Sequence, residues 1–146
     1  MKRIIRNHIW ESNSSAVHSI SISEDGMEPS KLPIDDDGYI LVRYGSFDSD
    51  EKLYNSQDDK LSYLITQCYY LGGYNLDRED NYHFRYVEEA ICSYTGANGI
   101  KIVGGDPYIN HQELPYGELN LVNECSEKSI QNFVFNKYIS LETGCD

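Results

Sequence analysis

Basic residues are scarce in this chain. Twelve Lys and Arg stand against 24 Asp and Glu, for a formal net charge of −12 over 146 residues. Such a surface repels phosphate, so no direct nucleic-acid binding is expected, and a basic protein surface suits it better. Acidity also aids solubility, so charge alone does not assign a function. Long apolar runs are missing too. No segment approaches the ~20 apolar residues of a membrane-spanning helix, and no membrane contact is expected. Lys2, Arg3 and Arg6 have no apolar run behind them, so no secretory leader is read. The four cysteines, Cys68, Cys92, Cys125 and Cys145, include no Cys-x-x-Cys pair. That removes the basis for a zinc ribbon or dithiol motif, and a cytoplasmic chain with reduced thiols is the default. Gly72-Gly73 and Gly104-Gly105 lack the spacing of a phosphate-cradling loop. His8, His18 and His111 show neither helical nor short-loop metal spacing, so no metal and no cofactor are assigned.

What is present fits one domain over residues 1–146, long enough to bury a core without staples. The early residues Lys2–Ile9 read as a short strand. His18-Ser19-Ile20-Ser21-Ile22-Ser23 alternates with period two and reads as another. Tyr39–Tyr44 is β-branched and aromatic, and the Asp36-Asp37-Gly38 turn before it suggests a meander or hairpin. Ser46–Gln57 reads as a polar connection. A helix is expected over residues 58–71, with Ser56 as N-cap, a Leu61, Leu64, Ile65, Cys68 and Leu71 stripe, and Gly72-Gly73 as the stop.

A second helix is expected over residues 81–94, with Phe84, Val87, Ile91 and Tyr94 inward and Glu88 and Glu89 outward. Ile100–Val103 reads as a strand. A third helix is expected over residues 127–136, capped by Ser126, and a last strand over residues 137–141. Helices and strands do not alternate strictly, so the class is α+β: a single compact domain with a mixed sheet of about five strands and three helices.

Two candidate surfaces emerge. One is a polar pocket. Asn13, Ser14, Ser15 and His18 crowd one stretch, and a serine near a histidine can be an activated nucleophile with Asn as oxyanion donor. Serine and asparagine at a turn are also common for structural reasons. His111 and Gln112 lie in a polar loop, and Asn136 sits at a helix end, where a left-handed C-cap competes with a ligand role. Ser15, His18 and His111 are the catalytic candidates, and no catalytic assignment is made.

The other surface is acidic. From Glu24 to Asp80, 14 acids face five bases, a balance of −9. The clusters are Asp35, Asp36 and Asp37; Asp48, Asp50 and Glu51; Asp58 and Asp59; and Asp77, Glu79 and Asp80. Tyrosines lie between them. Spaced carboxylates can imitate phosphates for a basic groove, and tyrosine suits interfaces.

Three segments carry a resemblance. Trp10-Glu11-Ser12-Asn13-Ser14-Ser15 with His18-Ser19, Asp59-Lys60-Leu61-Ser62-Tyr63-Leu64, and Tyr108-Ile109-Asn110-His111-Gln112 with Phe133-Val134-Phe135-Asn136 resemble patterns in a family of small phage and bacterial proteins without an assigned activity. The chain departs from the pattern at Ser12, where Thr is expected, and at Asn110, where Asp is expected. The resemblance implies a phage or mobile-element setting. The expected function is then an acidic accessory protein that binds and inhibits a host defence protein, as a nucleic-acid mimic would. The alternative is a small enzyme or ligand binder using the Ser/Asn/His pocket. Nothing in the sequence sets the oligomeric state.

Overall fold

The structure, a computed structural model, describes residues 3–4, 17–22, 26–47, 52–74, 81–109 and 127–144; side chains are described for residues 26–47, 52–74, 81–109 and 127–142. The α+β class with three helices is observed. In chain order the strands are β1 (Arg3–Ile4), β2 (Val17–Ile22), β3 (Tyr39–Val42), β4 (Ser46–Phe47), β5 (Lys52–Tyr54), β6 (Gly99–Ile102), β7 (Tyr108–Ile109) and β8 (Ser140–Gly144). The helices are α1 (Gln57–Leu71), α2 (Tyr82–Thr95) and α3 (Glu127–Phe135). The strands are shared among three small sheets where the sequence pattern suggested one. A four-stranded antiparallel sheet has the order β1-β2-β8-β5, and β3-β6 and β4-β7 are parallel pairs.

Helix α1 is the centre of the fold. Ser56 caps it as expected, its Oγ accepting from the Asp59 N–H at 3.0 Å. At the other end Gly73 takes φ 75°, its N–H reaching Tyr70 O, while the Tyr74 N–H reaches Tyr69 O. That is the paired carbonyl closure in which glycine removes the Cβ penalty of a left-handed residue. The expected stripe was too narrow. Lys60, Tyr63, Thr66 and Gln67 are buried along with Leu61, Leu64, Ile65 and Cys68, so α1 is enclosed on nearly every side.

Asn81 both caps α2 and ties it to α1. Its Oδ1 accepts from the Phe84 N–H at 2.9 Å, and its Nδ2 donates to Cys68 O at 2.9 Å. Phe84, Val87 and Ile91 face the core. Tyr94 stacks on Phe135 at 4.1 Å and donates its hydroxyl to Glu28 O at 2.7 Å. Glu88 does not face solvent as expected; its carboxylate accepts the Ile100 N–H at 2.9 Å and joins α2 to β6.

Several strand readings differ from the structure: β3 stops at Val42, β6 spans Gly99–Ile102, and β7 was not anticipated. The polar connection at residues 46–57 contains β4 and β5, both too short to show a period. The last strand begins at Ser140, because Asn136–Ile139 is a turn with Ile139 N–H on Asn136 O at 3.1 Å. The Asp36-Asp37-Gly38 turn does fold tightly: Gly38 N–H meets Asp35 O, and Ile34 bridges Ile40 antiparallel. One buried cluster runs through Leu32, all three helices, β3, β6 and Leu141. Among the described residues no helix is long and apolar enough to cross a membrane.

Candidate functional site

A cleft of about 560 Å³ opens where β3 leaves its parallel partner and bends toward β4. The bend has a local cause. Tyr44 N–H bonds to Gly104 O at 2.9 Å, and Tyr108 N–H bonds to Gly45 O at 3.0 Å, so the second parallel pair resumes after a kink. Gly105 has φ 91°, and a Cβ there would run into Tyr44 O, so the crossing of the two chains requires glycine. Helix α1 holds the same bend from the other side. Ser62 Oγ donates to Arg43 O at 2.7 Å, and Thr66 Oγ1 accepts from Gly45 N–H at 3.0 Å.

Pro33, Leu41 and Val103 form an apolar floor for this cleft, and Tyr44, Phe47 and Tyr54 also line it. Four charges line it: Arg43, Lys52, Asp58 and Asp59. The Arg43 guanidinium lies against Gly104, where a Cβ would come within 2.9 Å of it. Among the described residues neither Asp58 nor Asp59 makes a side-chain hydrogen bond or ion pair. Partial burial raises the Asp58 carboxyl above its ordinary value, and the neighbouring Asp59 charge adds to the rise. Neither base of the cleft offsets this.

The acidic clusters therefore separate by role. Asp35 is a turn residue. Its Oδ1 accepts from the Asp37 and Tyr39 N–H groups at 2.9 Å, and its Oδ2 pairs with Lys101 at 2.9 Å. The Tyr39 hydrogen bond first, and the Lys101 bond second, hold its carboxyl below the ordinary value. Asp36 and Asp37 are exposed beside it. Asp48, Asp50, Glu51, Asp77, Glu79 and Asp80 lie outside the described residues.

Of the polar-pocket residues, Asn13, Ser14, Ser15, His111 and Gln112 lie outside the described residues, and His18 is described only as a backbone member of β2. Asn136 is described and is fully buried. Its Nδ2 donates to Asn132 Oδ1 at 3.0 Å and its Oδ1 accepts from Tyr138 N–H at 2.9 Å. Its φ is not positive, so it closes α3 through its side chain and not as a left-handed cap.

A smaller cleft of about 400 Å³ lies between the start of α1 and the end of α3, lined by Glu28, Lys31, Gln57, Lys60 and Lys137 among others. Lys60 was not singled out from the sequence, yet it is 1% exposed. Its Nζ donates to Asn136 O at 2.9 Å and to Ile139 O at 2.8 Å. Burial pushes its pKa down to about 8, against a smaller upward pull from Glu28. A signal was available: Lys60, Leu64 and Cys68 share one helical line, which is the inner one.

Cysteine and histidine chemistry is weak among the described residues. Burial pushes the Cys68 thiol far up, which keeps it protonated and inert. Burial pushes His83 down, and its Nδ1 is buried with no hydrogen-bond partner. Comparisons with protein-family models, curated proteins and solved structures found no match to the chain.

Proposed function

We propose that this chain is a binding protein that takes a basic protein surface at the cleft between β3 and α1. The observation that carries this reading is the Asp58–Asp59 pair: two adjacent carboxylates that make no side-chain hydrogen bond or ion pair among the described residues, on the rim of a cleft with an apolar floor. An arriving ammonium or guanidinium offsets the repulsion and partial desolvation that raise the Asp58 pKa. The net charge of −12 steers such a partner toward the chain from a distance. The fuller proposal is an accessory protein of phage type that blocks a host defence protein by offering carboxylates where that protein expects phosphates.

The test is binding of a Lys/Arg-rich peptide, followed by chemical-shift mapping. The expected result is saturable shifts around Asp58 and Asp59 that weaken steeply from 50 to 500 mM salt, because contacts between exposed charges are screened. The Asp58→Lys/Asp59→Lys variant should lose them. Binding that ignores both salt and charge reversal refutes the proposal.

A further inference from the structure

Parallel strand pairs are almost always covered on both faces. Among the described residues the β3–β6 pair is covered on one. Ile40, Val42 and Ile100 point inward and are buried among the helices. By the two-residue alternation of strands, Tyr39, Leu41 and Arg43 point the other way, and so do Lys101 and Val103 across the register Leu41↔Lys101. Lys101 is occupied at one end of this face, paired with Asp35 and lying over the Tyr39 ring at 4.8 Å. Arg43 is laid against Gly104 at the other. Between them Pro33, Leu41 and Val103 make an apolar strip, and Val103 is 49% exposed.

From this bare face, and resting on the reading of a basic partner above, we infer that the occupant is an extended segment of a partner protein with an apolar centre and basic residues at both ends. The apolar side chains settle on Pro33, Leu41 and Val103. One basic end meets Asp58 and Asp59, and the other meets Asp36 and Asp37, which are exposed at the turn entering β3 and make no ion pair among the described residues, although the Lys101 charge acts on Asp37. Gly38 to Arg43 is five residue steps along β3, roughly 16 Å at about 3.3 Å per step. A partner segment of about five to seven residues therefore spans both acid pairs. The apolar strip supplies the docking area, and the acids at its ends select the charge of the segment.

The experiment uses the full chain and a blocked heptapeptide with two lysines at each end and Val-Leu-Val between them, measured by calorimetry at 50 mM salt. Control peptides replace the centre with Ser-Gly-Ser, or the lysines with glutamates. Saturable binding that falls about tenfold with the Ser-Gly-Ser centre, and about tenfold in Val103→Ser, is the expected result. Val103 is half exposed, and an unchanged circular dichroism spectrum checks that this variant folds. Equal binding of the Val-Leu-Val and Ser-Gly-Ser peptides, lost only in Asp58→Lys/Asp59→Lys, overturns the strip while leaving the basic-partner reading intact. Equal binding of the lysine and glutamate peptides overturns that reading itself. A concentration-dependent dimer that Val103→Ser dissolves, without peptide binding, assigns the strip to a second copy of the chain and overturns the inference.

Discussion

Lys60→Met separates two opposing effects at the α1–α3 junction. The folded chain holds Lys60 at a pKa of about 8 where an unfolded lysine titrates near 10.5. A gap of about 2.5 units corresponds to about 3 kcal/mol of penalty on the charged form. The Asn136 and Ile139 carbonyls favour the ammonium and work against burial, so about 3 kcal/mol is the upper end. Methionine removes the penalty but leaves Ile139 O without its Lys60 donor, a loss of about 1–3 kcal/mol. At pH 7 the two nearly cancel, and the variant should lie within about 2 kcal/mol of the parent.

The pH dependence gives the sharper result. Between pH 8 and 10.5 the unfolded lysine binds more protons than the folded one, so parent stability rises with pH in that window. By pH 9.5 the parent should gain about 2 kcal/mol from this group, and Lys60→Met should gain nothing from it. Urea unfolding of both proteins at pH 7.0 and 9.5 reads the difference, and the other titrating groups cancel between them. Parallel pH curves would show that Lys60 is not held near 8 and would refute the reasoning.

Further outcomes follow from the same contacts. Asn81→Ala should cost about 1–3 kcal/mol in urea unfolding, combining a lost N-cap with one of the two hydrogen bonds on Cys68 O, which keeps the Gly72 N–H. Tyr94→Phe keeps the stack on Phe135 and should cost only about 1 kcal/mol for the hydroxyl bond to Glu28. Asp35→Asn should be less stable than the parent at pH 7. Because the folded Asp35 pKa is depressed, that deficit should shrink as pH falls through and below the ordinary carboxylate range, read as converging thermal midpoints. Gly105→Ala should cost more than about 2 kcal/mol and shift cleft resonances near Tyr44, since both the left-handed backbone and the close crossing oppose a side chain.

Features legible in the sequence were local ones. Ser56, the Gly72-Gly73 stop and the Phe84, Val87 and Ile91 spacing of α2 need only nearby residues to act, and they act as the sequence predicts. The turn before β3 belongs with them, because Asp35 closes it within four residues. Strands β4 and β5 were missed because two or three residues carry no period. The burial of Lys60 is signalled by its helical line with Leu64 and Cys68, but its partners, 76 and 79 residues away, are not. The Asp58–Asp59 pair is visible as acid, but that neither makes an ion pair among the described residues, with Arg43 and Lys52 lining the same cleft, is a property of three-dimensional placement. Asn136 was read as a ligand candidate or a left-handed cap, and its side chain proves to be spent inside the turn.

The parallel pair that floors the cleft also bears on how the chain reaches its fold. Tyr39 pairs with Gly99 and Val42 with Ile102, so every rung of that pair joins residues 60 apart. All of α1 and α2 lies within the loop it closes. Closing such a loop is entropically unfavourable until the enclosed helices dock, so the pairing belongs late in folding. A weakened α1 cap at Ser56 should therefore slow folding more than its exposed position suggests. The cleft would be one of the last features to assemble and one of the first to open.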